Sequence, residues 1–219
     1  IPVLVDAAES LGATHNGHPA GSMGDVAVFS FNGNKIMTTS GGGMLVSNSD
    51  ELVERVRHWS TQSREDFPWY EHEEIGYNYR MSNILAAIGR AQFERLPAMI
   101  EKRRRIASWY SEYLGTDRGI RAVGDPPWGQ SNCWLTTVRF DGALGVDIST
   151  RVREALEAAN IESRPVWKPM HQQPVFAHSE SHLAGVSDKI FLEGLCLPSG
   201  VALERNDIER ISGIVLDTV

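Results

Sequence analysis

FSFNGNK at 29–35, followed by TTSGGG at 38–43, decides how the chain is read. Val26–Phe31 is an apolar run that predicts a buried strand, and Gly43–Ser47 predicts another. Between them Lys35 stands beside a glycine run, a poor place for a solvated surface lysine. The other lysines are Lys102 in an arginine-rich helix, Lys168, and Lys189 at a polar helix start. A partly desolvated lysine gives up its proton more readily, and the neutral amine attacks a carbonyl. Alone, a lysine at a strand end also reads as structural, so its neighbours must decide.

Working outward, Ile1–Val5 reads as a short buried strand that ends at Asp6. Asp6 either caps a turn or holds a proton on the ring nitrogen of a cofactor. Ser30 either ends its strand or donates to a phosphate, which collects hydroxyl and N–H donors. Gly41–Gly43 is either a simple turn or a stretch where backbone approaches a ligand closely. Each feature is weak by itself, but their order along the chain is specific.

Further along, Ser49 or Asp50 caps a helix running to about Ser60. Residues 62–76 lack a clear period and read as a long functional loop. Ser82 caps a helix carrying Ile84, Leu85, Ile88 and Ala91, and Pro97 is expected to open a second helix that ends near Gly115. Residues 115–130 are rich in Gly, Pro and Asp, so the boundary is placed there. Residues 1–115 are expected to form the C-terminal part of a large domain and 116–219 a small one. In the second, Cys133–Phe140 alternates like a strand. Asp147–Asn160, Ser187–Gly194 and Asp207–Asp217 carry helical patterns. The fold class is α/β.

The 219 residues are 42% hydrophobic and 22% charged, with a net charge of −7, which suits an ordinary globular core and gives no basic surface for nucleic acid. Arg103–Arg105 is flanked by Glu101 and Glu112 and reads as a solvated helix face. No apolar run reaches the roughly 18 residues of a membrane span. Cys133 and Cys196 stand among apolar neighbours and read as free thiols, as in a reducing cytoplasm. No metal-ligand pattern is present.

DAAES at 6–10, FSFNGNK, TTSGGG and GYNYR at 76–80 together resemble the DegT/DnrJ/StrS-type sugar aminotransferases, pyridoxal-phosphate enzymes of fold type I. ESRPVWKPMH at 162–171 and CLPSG at 196–200 look most like the transaminases of UDP-4-amino-4,6-dideoxy-N-acetylglucosamine in the bacillosamine pathway.

The resemblance implies a cytoplasmic enzyme of glycan biosynthesis that passes an amino group from glutamate to a nucleotide-linked 4-keto-6-deoxysugar. Lys35 would be the catalytic lysine bound to the cofactor. Asp6 would pair with the pyridine nitrogen and Ser30 with the phosphate. Glu9 stands where members carry Gln or His near the phenolic oxygen; a carboxylate there repels a phenolate, so Glu9 is expected protonated or turned away. Asn78 or Arg80, with Asn78 preferred, would reach the partner's cofactor phosphate across a homodimer. Arg164, Trp167 and His171 would contact the sugar nucleotide, with Asn132 and Trp134 as weaker candidates. Lys35 where some relatives carry histidine favours transamination over dehydration.

Family members are longer, so the chain is expected to be a C-terminal part, inactive by itself, with an exposed sheet edge. The alternatives are a non-catalytic remnant acting as an interaction module, and an aminotransferase for another keto sugar or a cyclitol.

Overall fold

A computed structural model describes residues 1–115 and 118–219. Thr116 and Asp117, on which the expected boundary falls, lie outside the described residues. In chain order the elements are β1 (Leu4–Asp6), β2 (Thr14–His15), β3 (His18–Pro19), β4 (Val26–Ser30), β5 (Gly43–Ser47), α1 (Asp50–Ser60), α2 (Asn83–Leu114), β6 (Ile120–Ala122), β7 (Gly129–Gln130), β8 (Thr136–Phe140), α3 (Ile148–Ala158), β9 (Arg164–Pro165), α4 (Val186–Glu193), β10 (Gly194–Leu197) and α5 (Arg205–Thr218).

They form two compact units, Ile1–Ile100 with Asp125–Trp134, and Glu101–Gly124 with Leu135–Val219. The division differs from a single cut at 115 because residues 125–134 return to the first unit, where β7 pairs with β2.

In the first unit β1, β4 and β5 form one sheet. β1 runs parallel to β4 with Asp6 opposite Val28, and β5 runs antiparallel with Gly43 opposite Ser30. Ala27, Ile36, Met37 and Thr39 are buried. β1 is an edge strand, and Leu4 is 63% exposed rather than buried as its apolar run suggested. Met44 and Val46 on the other edge are exposed too. Ser49 caps α1 by accepting from Leu52 N at 3.3 Å. Residues 62–80 fold back on the end of α1, with Tyr77 N donating to Trp59 O at 2.7 Å and Tyr79 N to Ser60 O at 3.0 Å.

The helix expected to start at Pro97 is the continuation of α2, which contains Pro97 in its interior. Proline removes one backbone donor there. Helix formers on both sides (Gln92, Glu94, Leu96, Ala98, Met99) sustain the helix through the gap.

In the second unit the sheet order is β6-β8-β10-β9, all antiparallel. Alternation along β8 buries Thr136, Val138 and Phe140. They pack with Ile106, Tyr110 and Leu114 of α2, Val152 and Leu156 of α3, and Ile208, Ile211 and Val215 of α5 into one core. Tyr110 is fully buried and its hydroxyl donates to Pro198 O at 2.9 Å. Neither Cys133 nor Cys196 takes part in a disulfide among the described residues. Among the described residues no helix is long and apolar enough to cross a membrane.

Candidate active site

The parallel pair β1–β4 sends two strand ends in one direction, and the residues that carry chemistry follow those ends. This is where open parallel sheets bind ligands. After β4 the chain makes a closed loop. Phe31 is its clasp: Phe31 N donates to Gly42 O at 2.9 Å, and Phe31 O accepts from Thr39 N at 2.9 Å. Thr38 Oγ1 accepts from Ser40 N at 2.8 Å and donates to Phe31 O at 3.3 Å, while Thr39 Oγ1 donates to Gly41 O. Buried Ile36, Met37 and Thr39 anchor the loop from below. Gly42 takes a left-handed φ of 96°. A Cβ on Gly43 would lie 2.4 Å from Phe29 O, so the TTSGGG glycines permit the tight return into β5.

Lys35 stands in this loop, its N–H donating to Asn32 O at 3.0 Å. Its side chain is only 12% exposed. Nζ lies 2.9 Å from Glu9 Oε1 and 4.3 Å from the centre of the Trp134 ring. Glu9 is thus turned to the lysine, its side chain about half exposed. Asp6 ends β1, and its Oδ1 accepts from Ala8 N at 3.0 Å. The cap uses one oxygen, and no described residue bonds the other. Ser30 ends β4, where its Oγ accepts from Asn32 N at 3.4 Å and keeps its proton for an acceptor.

The back of the site comes from residues 132–134, which the sequence marks only weakly. Asn132 is 4% exposed. Its Nδ2 donates to Glu9 O at 2.8 Å and Leu11 O at 3.0 Å, and its Oδ1 accepts from Trp134 N at 3.0 Å. Trp134 Nε1 donates to Asn34 O at 2.6 Å, fixing the ring beneath the Lys35 ammonium. Trp134 is buried, as a core residue is, yet it touches the lysine. A left-handed residue between two side chains that face the same turn (Cys133, φ 50°) is the feature that makes the clamp, and sequence alone does not show it.

The other expected residues are placed as follows. Asn78 bridges to Thr61 and is exposed, as is Arg80; no hydrogen bond or ion pair among the described residues joins either to Asp6, Ser30 or Lys35. Arg164, Trp167 and His171 belong to the second unit. Arg164 pairs with Glu162, its Nε 2.8 Å from Oε1, and Trp167 is 61% exposed. His171 Nε2 lies 2.8 Å from Asp188 Oδ1, which also accepts from Gln172. These hydrogen bonds hold the Asp188 carboxyl below its usual range. His171 thereby fastens the 3-10 turn Met170–Gln172 to α4. No cluster of His, Cys, Asp and Glu able to hold a metal is found among the described residues.

Residues 1–216 match the model of the DegT/DnrJ/EryC1/StrS aminotransferase family. EpsN of Bacillus subtilis (strain 168), named as a pyridoxal phosphate-dependent aminotransferase, is 45% identical over 221 residues, covering 99% of this chain and 56% of its own length. The GDP-perosamine synthase of Caulobacter vibrioides is 40% identical over 215 residues, covering 95% of this chain and 56% of its own. The crystal structure of the aminotransferase TlmJ from Streptoalloteichus hindustanus superposes with a TM-score of 0.88 at 30% identity, over 100% of this chain and 58% of that one. The chain therefore spans a little over half the length of the relatives it matches.

Proposed function

We propose that this chain, which belongs to the DegT/DnrJ/EryC1/StrS aminotransferase family, supplies the lysine side of a site that passes an amino group from glutamate to a nucleotide-linked 4-keto-6-deoxysugar. One observation carries the reading: two parallel strands end in the carboxylate of Asp6 and the hydroxyl of Ser30, and the loop leaving the second carries the little-exposed Lys35. Lys35 is a nucleophile, Asp6 keeps an acceptor for a protonated ring nitrogen, and Ser30 keeps a donor for a phosphate oxygen. That donor set fits pyridoxal phosphate.

When bound, the cofactor supplies a ring that withdraws electrons from the reacting carbon. The remaining work falls to side chains. Lys35 Nζ holds the group and carries the proton to and from the amine carbon. Asp6 holds the proton on the ring nitrogen. Trp134 and Asn132 orient the lysine. Asn78, on the loop at 76–80, is proposed to serve the second site of a homodimer, and Arg164, Trp167 and His171 the sugar nucleotide.

For the substrate, ESRPVWKPMH and CLPSG favour a UDP-linked sugar of the bacillosamine type. A relative named for a GDP-linked product keeps the nucleotide open, so a panel of UDP- and GDP-linked keto sugars decides it.

The test is trapping with pyridoxal phosphate and borohydride, read by peptide mass, on this chain and on one extended upstream with a relative's residues. An adduct at Lys35 in either, lost in Lys35→Ala, supports the reading; no adduct in both defeats it. Asp6→Asn in the extended chain is expected to keep the adduct and lose most glutamate-dependent turnover. Normal turnover would remove Asp6 from its role.

A further inference from the structure

We infer that the second unit carries a small oxyanion site, of the phosphate class, built on Arg121, Arg139 and Lys189. It is made wholly from that unit and is independent of the lysine site.

The strand register creates it. Burial alternates along β8, so Arg139 points away from the face that carries Val138 and Phe140. Its cross-strand neighbours are Arg121 on β6 and Gly194 on β10. Two guanidiniums directly opposite on one sheet face repel each other, and a glycine supplies no counter-charge. The nearest carboxylate is Glu193, at the end of α4 and 14% exposed. Its Oε2 accepts from Arg139 Nη2 at 2.6 Å, while its Oε1 lies 3.6 Å from Lys189 Nζ. One carboxylate thus serves two cations.

A cavity of about 150 Å³ opens between these groups, lined also by Asp141 and Gly142. Asp141 Oδ1 is committed to Ala143 N at 3.0 Å, capping the 3-10 turn Gly142–Leu144. Arg121 makes no ion pair with a described residue. Arg139 Nε is buried and has no hydrogen-bond partner. An unpaired buried N–H of a charged group is costly.

The cavity therefore brings three cations against two carboxylates, one of which serves both Arg139 and Lys189, and the Arg121 guanidinium has no ion-pair partner among the described residues. A tetrahedral oxyanion matches that deficit, because arginine forks engage paired oxygens and Lys189 adds a point charge. The ligand is free phosphate or the phosphate of a phosphorylated metabolite; both present the same group to Arg121 and Arg139.

The test uses the whole chain with inorganic phosphate as probe, at ionic strength matched with chloride, following the arginine Nε–H and backbone amide resonances. Phosphate is expected to shift the Arg139 Nε–H and Ala143 N–H saturably, where chloride does not. Arg121→Gln, at an exposed position, is expected to keep the fold and weaken binding by about tenfold or more. Lys102→Gln, whose lysine pairs with Glu204, serves as the control and leaves binding unchanged. A second arm replaces phosphate with a nucleoside monophosphate: tighter binding assigns the site to a phosphorylated metabolite, equal or weaker binding to the free anion. A linear, chloride-like response, or equal affinity in Arg121→Gln, overturns the site.

Discussion

Replacing Asn132 by alanine tests how the lysine is held. The side chain makes three hydrogen bonds, to Glu9 O, Leu11 O and Trp134 N, at 2.8, 3.0 and 3.0 Å. At 4% exposure, water does not readily take their place. At about 1 kcal/mol net for each bond, the loss is ~3 kcal/mol, and more if the freed carbonyls stay dry. The first unit holds residues 125–134 through this side chain, the short β2–β7 pairing, Asn16 N–H to Trp128 O and Trp134 Nε1–H to Asn34 O, so the cost falls on local opening of that segment. Hydrogen exchange at Trp134 N, whose acceptor is deleted, is expected to accelerate on the order of 10²-fold, the equivalent of ~3 kcal/mol. Amides of α3 and α5, in the other unit, should exchange at their original rates. The same substitution loosens the Trp134 ring under Lys35, so trapping at Lys35 in the extended chain should slow while remaining detectable. An acceleration below about threefold at Trp134 N would refute the clamp, since that corresponds to less than a single net hydrogen bond.

Burial, with Asp207 nearby, raises the Tyr110 phenol well above its ordinary value. A raised acid is neutral in the fold, so its contribution is complete below the unfolded value of about 10 and is lost as pH rises beyond it. Denaturant melts should therefore show stability falling above about pH 10, and Tyr110→Phe should remove part of that fall while costing about 1 kcal/mol at neutral pH through the lost bond to Pro198 O. The Asp188 carboxyl is depressed by His171 and Gln172, so its contribution is present above the ordinary carboxylate value and lost as pH falls through the depressed one. Acidification below about pH 4 should speed exchange at Gln172 and Gln173, and Asp188→Asn should abolish that pH dependence. Gly43→Ala would press a Cβ against Phe29 O, costing roughly 1–3 kcal/mol and opening the end of the β4–β5 ladder, read from a melt and from exchange at Phe31 N.

In the second unit the long periodic stretches were legible and the short strands were not: Ile120–Ala122, Arg164–Pro165 and Gly194–Leu197 are too brief to show a period. The alternation read over Cys133–Phe140 holds from Thr136 on, and with the helical spacing of Ile148, Val152 and Leu156 it corresponds to the buried faces of β8 and α3. Pro97 misleads because a proline that suits a helix start also survives inside a helix when its flanks are strong formers, as Glu94, Leu96, Ala98 and Met99 are. The run at residues 1–5 misleads differently. Apolar sequence shows that a strand has surface to bury, not that the surface is covered, and Leu4 is exposed on an edge.

At the lysine site, local sequence marks the chemistry but not the support. The positions proposed for Asp6, Ser30 and Lys35 can be read locally, because Asp6 and Ser30 close strands whose apolar runs end there and Lys35 lies in the loop that follows. Asn132 and Trp134 act 100 to 123 residues away in sequence from the groups they hold, through backbone carbonyls that any residue type presents. No composition or period encodes such a contact; only the return of residues 125–134 to the first unit does. Glu9 makes the same point with a charge. Beside a phenolate, a carboxylate would be repelled, and the sequence offered protonation or rotation as the way out. In the structure the carboxylate faces the Lys35 ammonium, where its charge is favourable. Glu9→Gln should therefore weaken the seating of the free lysine, raising its rate of acetylation at neutral pH through easier access to Nζ. An unchanged rate would mean that the 2.9 Å contact does not restrain the amine.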